Sequence, residues 1–224
     1  MVIRSMLAGA AITLGCAAYI SVGGGVPGAI AFSIGLLLVL SRGYLLFTGR
    51  VCYVESTFES IKKIHEILLF NIAGAAVTAI LIRLAKPEII DNAADIFHKK
   101  MGEDIRVVLL GMLCNVLIFF AVDGYKRVED IVGKYIIVMF CVVTFILCGF
   151  EHCIANFGYF FLGINGTFNA ALGIIYLIGN ILGNAIGGIA IYNLEKYARK
   201  KKRKMGEATA IPGADQEMVR REII

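Results

Sequence analysis

The sequence predicts an all-α membrane protein with six transmembrane helices, and three observations carry this prediction. Hydrophobic residues make up 58% of the 224 residues, whereas soluble domains contain about 45–50%. The mean hydropathy is +0.79. Charged residues, 17% of the chain, cluster between long apolar runs, and about 20 apolar residues are enough to cross the hydrocarbon core of a bilayer.

The apolar runs define the expected spans in chain order. They are 5–22, 29–47, 67–84, 107–122, 135–150 with a continuation at 153–164, and 168–194. The first run could be mistaken for a signal peptide, but no small-x-small cleavage site follows it and a second run begins almost at once. A shorter amphipathic stretch is expected at 51–61 and a polar connection at 86–105. We therefore expect a six-helix transmembrane domain at 1–195 and a basic tail at 196–224.

Basic residues are distributed unevenly between the two ends of these spans. One end holds Arg4, Lys62, Lys63 and the basic C-terminus, whereas the other holds few basic residues among several acids. Basic residues in short connections favour the cytoplasmic side, so both termini are expected there, in a plasma-membrane protein. The basic tail could bind nucleic acid in principle. We interpret it as a membrane-surface anchor and expect no nucleic-acid partner.

Two spans lose apolar continuity part-way and then resume, the second near Thr48 and the fifth near His152. Interruptions at the same rank in two groups of three helices predict an inverted repeat with a site near the membrane midplane. A second similarity supports the repeat: the third run contains Asn71-Ile-Ala-Gly74 and the sixth contains Asn180-Ile-Leu-Gly183. Glycines within the spans favour closely packed helices.

His152 is the most informative polar residue, because it lies deep in an apolar context. Ionisable groups at membrane depth are rare and usually functional, and imidazole titrates near neutral pH. The alternative is a structural histidine bonded to the backbone at a helix break. The neighbouring Glu151 is expected to brace the break, and Thr48 could either bind a ligand or cap the backbone.

Other polar residues lead to weaker interpretations. Arg50 is expected to reach the cytoplasmic membrane interface, Arg42 has no explanation, and Lys99 by itself is typical of an exposed loop.

The cysteines lie mostly in apolar runs without metal-type spacing, so neither a disulfide framework nor a metal site is expected. No nucleotide-binding loop or enzyme motif is visible, and no cofactor or catalysis is expected.

Four sequence blocks, in order, resemble the formate/nitrite transporter family. The resemblance covers about 5–195. The blocks are 32–49 ending in Leu46-Phe-Thr-Gly49, Gly111-Met-Leu-Cys-Asn115, Gly149-Phe-Glu-His-Cys-Ile-Ala-Asn156, and Gly179-Asn-Ile-Leu-Gly183. The chain departs from the family at Tyr44 and Leu45, where a small residue and an acid usually stand.

The resemblance implies a homopentamer of aquaporin-like protomers, each with its own pore for a small monovalent anion or its weak acid, such as formate, nitrite or hydrosulfide. It implies a pathway past His152, Thr48 and the external Lys99, with Asn180 bracing the histidine. Constrictions are implied at two residue pairs, Leu36 with Phe145 and Leu46 with Phe47. Support of the broken helices is expected from four further residues, Glu151, Asn115, Asn156 and Asn71.

Our hypothesis from these residues is that Lys99 attracts an anion and that His152 lends it a proton between the two apolar constrictions. One alternative is a neutral-solute channel of the aquaporin type, although no Asn-Pro-Ala motif occurs. Another is a membrane-embedded enzyme that uses Glu151 and His152. Such an enzyme would need a further reactive group at the same depth, and the sequence suggests none.

Overall fold

The computed structural model describes residues 1–101, 105–165 and 170–209, with side chains from 171 to 202 in the last range. Throughout these ranges the chain is organised as helices joined by short connections. In chain order they are α1 (Val2–Ser21), α2 (Gly25–Ser41), α3 (Phe47–Val51), α4 (Phe58–Ala85), α5 (Ile89–Met101), α6 (Arg106–Arg127), α7 (Ile131–Leu147), α8 (Cys153–Gly163) and α9 (Ala170–Thr209).

Two helix pairs form the frame of the molecule, α1 with α4 and α6 with α9. Both pairs approach through glycines. A Cβ atom at Gly9 or Gly74 would overlap a carbonyl of the facing helix, and so would one at Gly183 or Gly187. Small residues at these positions let the backbones pack closely, as in membrane helix bundles.

The distribution of polarity is that of a membrane protein. Large apolar side chains of α4 and α9 point outward, among them Leu69, Val77, Ile178 and Leu182, whereas the interior holds asparagines and a histidine. Four helices, α1, α4, α6 and α9, are long and apolar enough to cross a membrane, and α2, α7 and α8 are shorter apolar helices. An apolar exterior of this extent would be unfavourable in water.

Local sequence explains several helix ends. Thr57 precedes α4 and its side chain accepts a hydrogen bond from the amide of Ser60 at 3.2 Å. Asp130 caps α7 in the same way through the amide of Gly133. Such caps satisfy amides that have no partner within the helix. They fix the points at which α4 and α7 begin.

Three expectations from the sequence need correction. The second span does not continue to Phe47, because α2 ends at Ser41 and a new helix, α3, begins at Phe47. The amphipathic stretch at 51–61 consists of the last residue of α3, a turn and the start of α4. The 86–105 connection contains helix α5, which buries Ile89, Ala93, Ala94 and Phe97.

The last helix also differs from its predicted extent. The run expected at 168–194 begins as α9 at Ala170 and continues to Thr209 without a break. The division at residue 195 is therefore a prediction about where the chain leaves the bilayer, because the helix continues across it. Residues 168–169 and 210–224 lie outside the described part of the chain.

Candidate functional site

The segment 42–46 separates α2 from α3 and is held by one buried asparagine. Gly43 has a φ of 63°, in the left-handed region that glycine adopts most easily. The Asn71 side-chain amide donates to the carbonyls of Ser5 at 2.7 Å and Leu45 at 2.8 Å. Its Oδ1 accepts from the amide of Phe47 at 2.8 Å. Asn71 thus satisfies backbone groups that the break would leave unpaired inside the molecule.

The segment 148–152 separates α7 from α8 and is held in the same manner. Gly149 has a φ of 69°. The Asn184 side-chain amide donates to the carbonyls of Gly111 and Glu151, both at 2.8 Å, and its Oδ1 accepts from the amide of Cys153 at 2.8 Å. Asn184, rather than the Asn180 suggested by the sequence, therefore has the same hydrogen-bonding pattern as Asn71.

The matching contacts align the two breaks residue by residue. Phe47 and Cys153 are the first residues of α3 and α8, so Leu46 and His152 hold equivalent positions immediately before these helices. Leu46 makes no side-chain cap, whereas the His152 ring accepts from the amide of Ala155 at 3.2 Å through Nδ1. The two breaks have the same backbone support and different chemistry at the equivalent residue.

His152 and Thr48 join the two breaks at the centre of the molecule. His152 Nε2 lies 3.1 Å from Thr48 Oγ1, and both side chains are buried. Because Nδ1 accepts from the backbone, we assign the ring hydrogen to Nε2, which donates to Thr48 Oγ1. The Thr48 hydroxyl hydrogen is then free to be donated to another group. The Thr48 carbonyl accepts from the Asn115 side chain at 3.1 Å, which fixes α3 against α6.

A polar network surrounds Glu151, whose side chain is buried. Its carboxylate accepts from Lys100 Nζ at 2.9 and 2.8 Å and from Asn156 Nδ2 at 2.8 Å. Asn156 also donates to Asn180 Oδ1 at 2.8 Å, and Asn180 donates to the Glu151 carbonyl at 2.7 Å. Glu151 and Asn156 therefore lie where the sequence placed them, supporting the break, and Asn180 braces the residue before His152.

The lysine that faces the site is Lys100, which corrects the assignment of Lys99. Lys99 is exposed, whereas Lys100 is partly buried and forms the ion pair with Glu151. The reason is helical geometry: Lys100 follows the fully buried Phe97 by three residues and so lies on the same face of α5. Its Nζ is 6.0 Å from the centre of the Tyr159 ring.

Two cavities lie near the central contact. The first, which we call the leucine cavity, has a volume of about 180 Å³ and is lined by Leu36, Leu46, Arg50 and Lys126 among others. The second, the histidine cavity, has a volume of about 80 Å³ and is lined by Phe32, Lys100, Phe145 and His152 among others. His152 lines the histidine cavity, and Leu46 and Gly49, which flank the Phe47–Thr48 pair, line the leucine cavity.

The two cavities group the predicted constriction residues differently from the pairs that the resemblance implies. Leu36 lies with Leu46 rather than with Phe145. Phe145 lies with Phe32, at 6.1 Å between ring centres, and stacks on His152 at 5.9 Å. Phe47 is buried in the core and is not among the residues that line either cavity. The cavities therefore group Leu36 with Leu46 and Phe145 with Phe32, whereas the resemblance implied Leu36 with Phe145 and Leu46 with Phe47.

Comparison with known proteins identifies the group to which this architecture belongs. The family model described as formate/nitrite transporter matches residues 1–198. The chain belongs to the formate/nitrite transporter family. The nitrite transporter NirC of Escherichia coli (strain K12) is 27% identical over 180 residues, covering 73% of this chain and 67% of that protein. The probable formate transporter of Methanothermobacter thermautotrophicus is 27% identical over 230 residues, covering 84% of both chains.

Solved structures of formate/nitrite transporter proteins share the fold. A structure described as an FNT family ion channel has a TM-score of 0.82 and 24% identity, over 88% of this chain and 89% of that one. A pentameric formate channel with formate bound has a TM-score of 0.79 and 24% identity, over 89% of this chain and 96% of that one. The fold of this chain is therefore that of the family's channels.

The residues that sequence reasoning missed had recognisable signals. Asn184 opens a second Asn-x-x-Gly pattern, Asn184-Ala-Ile-Gly187, one turn after the first. Lys100 continues the buried spacing of α5, and Phe32 precedes Leu36 by one helical turn.

Proposed function

We propose that this chain forms a transmembrane channel for a small monovalent anion or its weak acid. The supporting observation is the buried contact between His152 and Thr48, which lies between two cavities in a protein of the formate/nitrite transporter family. In this account α1, α4, α6 and α9 are complete spans, whereas α2 with α3 and α7 with α8 are broken spans. The matching roles of Asn71 and Asn184 support two inverted repeats and an aquaporin-like protomer.

The proposed pathway runs from one cavity to the other past the central contact. Leu36 and Leu46 form the apolar constriction of the leucine cavity, and Phe32 and Phe145 form that of the histidine cavity. Apolar constrictions exclude hydrated ions because a charge loses its water there without compensation. The Thr48 hydroxyl then holds the substrate between them, since Nε2 of His152 already donates to its oxygen.

Lys100 and Glu151 tune the histidine cavity in this proposal. The ammonium group attracts an anion to the cavity, and the buried carboxylate behind it keeps the attraction weak enough for release.

Proton exchange at His152 is a second part of the proposal. For this step the ring must first take up a second proton at Nδ1, which releases the Ala155 amide, so that the imidazolium can pass one proton to the anion. The neutral acid then crosses the apolar constriction, which avoids the cost of moving a bare charge.

We propose formate, nitrite or hydrosulfide as substrates. Support comes from the relatives named as nitrite and formate transporters.

A homopentamer in the plasma membrane is proposed from the similar pentameric formate channel and from the apolar outward faces of α4 and α9. We also propose that both termini are cytoplasmic, since the basic Arg4, Lys126 and Arg199 lie at the end of the molecule where α1 begins and α6 ends.

Proteoliposomes test this function. Stopped-flow measurements with formate, nitrite, hydrosulfide and glycerol should show rapid uptake of at least one anion and none of glycerol. Rapid glycerol uptake would instead favour a neutral-solute channel.

The variant His152→Asn tests proton exchange, because an amide can hydrogen-bond but cannot titrate. Unchanged pH dependence of anion uptake in this variant would rule out the exchange of a proton at His152.

A further inference from the structure

The leucine cavity carries two cations at its outer end. Leu36 and Leu46 are buried at one end, whereas Arg50 and Lys126 are exposed to solvent. Its volume of about 180 Å³ equals roughly six water molecules at about 30 Å³ each. A small tetrahedral oxyanion with part of its hydration shell therefore fits.

These two cations lack a carboxylate partner within the described part of the chain. No acidic residue is among those that line the cavity. The nearby Asp123 is already bound by Arg127 at 2.6 Å and Arg199 at 2.8 Å. Lys126 Nζ instead lies over the Tyr53 ring, 4.4 Å from its centre. A cation over an aromatic ring keeps its full charge.

The histidine cavity provides the contrast. Among the described residues that line this cavity, Lys100 is the only lysine. Its Nζ forms an ion pair with Glu151 Oε2 at 2.8 Å. The leucine cavity is therefore lined by two positive charges that no acidic lining residue balances. The histidine cavity is lined by one positive charge, which Glu151 balances.

We propose that the leucine cavity is a binding site for a small divalent oxyanion, which occupies it without crossing and so blocks the pathway from that side. Two positive charges match two negative ones, and a guanidinium group can donate two parallel hydrogen bonds to an oxyanion. Tyr44 and Tyr125 also line the cavity and supply hydroxyl donors. A doubly charged ion will not pass Leu36 and Leu46, because desolvating it there is too costly.

Direct binding to the purified full-length protein tests this site with sulfate as the probe. Isothermal titration at constant ionic strength should show saturable sulfate binding, and methanesulfonate, which has a similar shape and one charge, should bind at least about tenfold more weakly. Arg50→Gln and Lys126→Gln should each weaken sulfate binding by about tenfold or more. Lys62→Gln is the matched control, because Lys62 is an exposed lysine that does not line the cavity.

Equal affinities for sulfate and methanesulfonate, or unchanged sulfate affinity in both cavity variants, would overturn the proposal. The blocking step rests on the proposed transport function and is measured separately as formate uptake in proteoliposomes. Sulfate on the leucine-cavity side should inhibit uptake, each variant being compared with its own sulfate-free rate. Equal inhibition by sulfate added on either side of the membrane would contradict the blocking step. A protein that binds sulfate but takes up none of formate, nitrite and hydrosulfide would overturn the transport function and leave the binding site standing.

Discussion

The segments 42–46 and 148–152 have the same backbone support but different chemistry. Each contains a glycine with positive φ and ends at a half-helix whose first amide donates to a buried asparagine. The residue before the half-helix is Leu46 in one and His152 in the other. One break therefore presents an apolar surface and the other an imidazole, on equivalent backbone.

The environment of the two segments differs accordingly. The first is supported by Asn71 and by Arg4, whose side chain donates to the Gly43 carbonyl and whose carbonyl accepts from the Leu45 amide at 3.1 Å. The second is supported by Asn184 and, in addition, by a buried side-chain network of Asn180, Asn156 and the ion pair of Lys100 with Glu151. A buried titratable ring and carboxylate need more hydrogen-bond partners than a leucine does. The comparison teaches that equivalent backbone support can hold two breaks of different polarity, and that the more polar break has the larger network of hydrogen-bond partners.

The largest expected effect on stability comes from the network that is unique to the second break. Lys100→Met should lower the stability by about 3–5 kcal/mol, because it leaves the buried Glu151 carboxylate without its partner. Thermal unfolding in detergent can be followed with a thiol-reactive dye, since Cys16, Cys114 and Cys153 are buried.

Lys99→Met is the control and should change stability by less than about 0.5 kcal/mol, as exposed substitutions usually do. The double variant Lys100→Met with Glu151→Gln should recover much of the loss. Equal melting temperatures for the Lys99 and Lys100 variants would refute the assignment of Lys100 to the site.

The two asparagines provide the next test. Asn71→Ala removes the partner of three buried backbone groups and should cost about 3 kcal/mol, the lower end of the range of 1–3 kcal/mol for each group. Asn184→Ala should cost less, because Asn180 continues to donate to the Glu151 carbonyl. The same unfolding assay ranks the two variants. The opposite ranking would mean that the added network does not support the second break.

The smallest expected effect is at the two glycines. Gly149→Ala should cost about 1–2 kcal/mol from the left-handed backbone alone, since no atom lies within 4 Å of an added Cβ. Gly43→Ala should cost at least as much, because its Cβ would also meet the Arg4 side chain at 3.2 Å. Cys148→Ala, at an exposed neighbour, is the control. A stability gain in either glycine variant would contradict the observed backbone.

Much of this architecture could be predicted from the sequence, because apolar runs and interrupted runs are visible in the residue pattern. The exact end of α2 could not, since Leu45, Leu46 and Phe47 are all apolar and hydropathy continues through the break. Helix α5 was missed because its exposed face is charged, although its buried face has helical spacing.

The site was predicted in part. His152, Thr48 and Glu151 stood out as polar groups in apolar runs, and the structure brings His152 and Thr48 into contact. The Glu151 carboxylate is instead bound by Lys100 and Asn156. The choice between Asn180 and Asn184 could not be made from sequence, since both open an Asn-x-x-Gly pattern. The division of Leu36 and Phe32 between two cavities depends on how α2 packs, which no local pattern encodes.

The most direct test of the account is a double-mutant cycle on formate uptake with Thr48→Val and His152→Leu. His152→Leu gives the second break the side chain of the first, and each single variant should slow uptake by about tenfold or more as a donor to the anion is lost or misplaced. Because the two residues form one contact, the double variant should be scarcely slower than either single one. Fully additive losses, or uptake at the normal rate in His152→Leu, would contradict the claim that the anion is held at this contact.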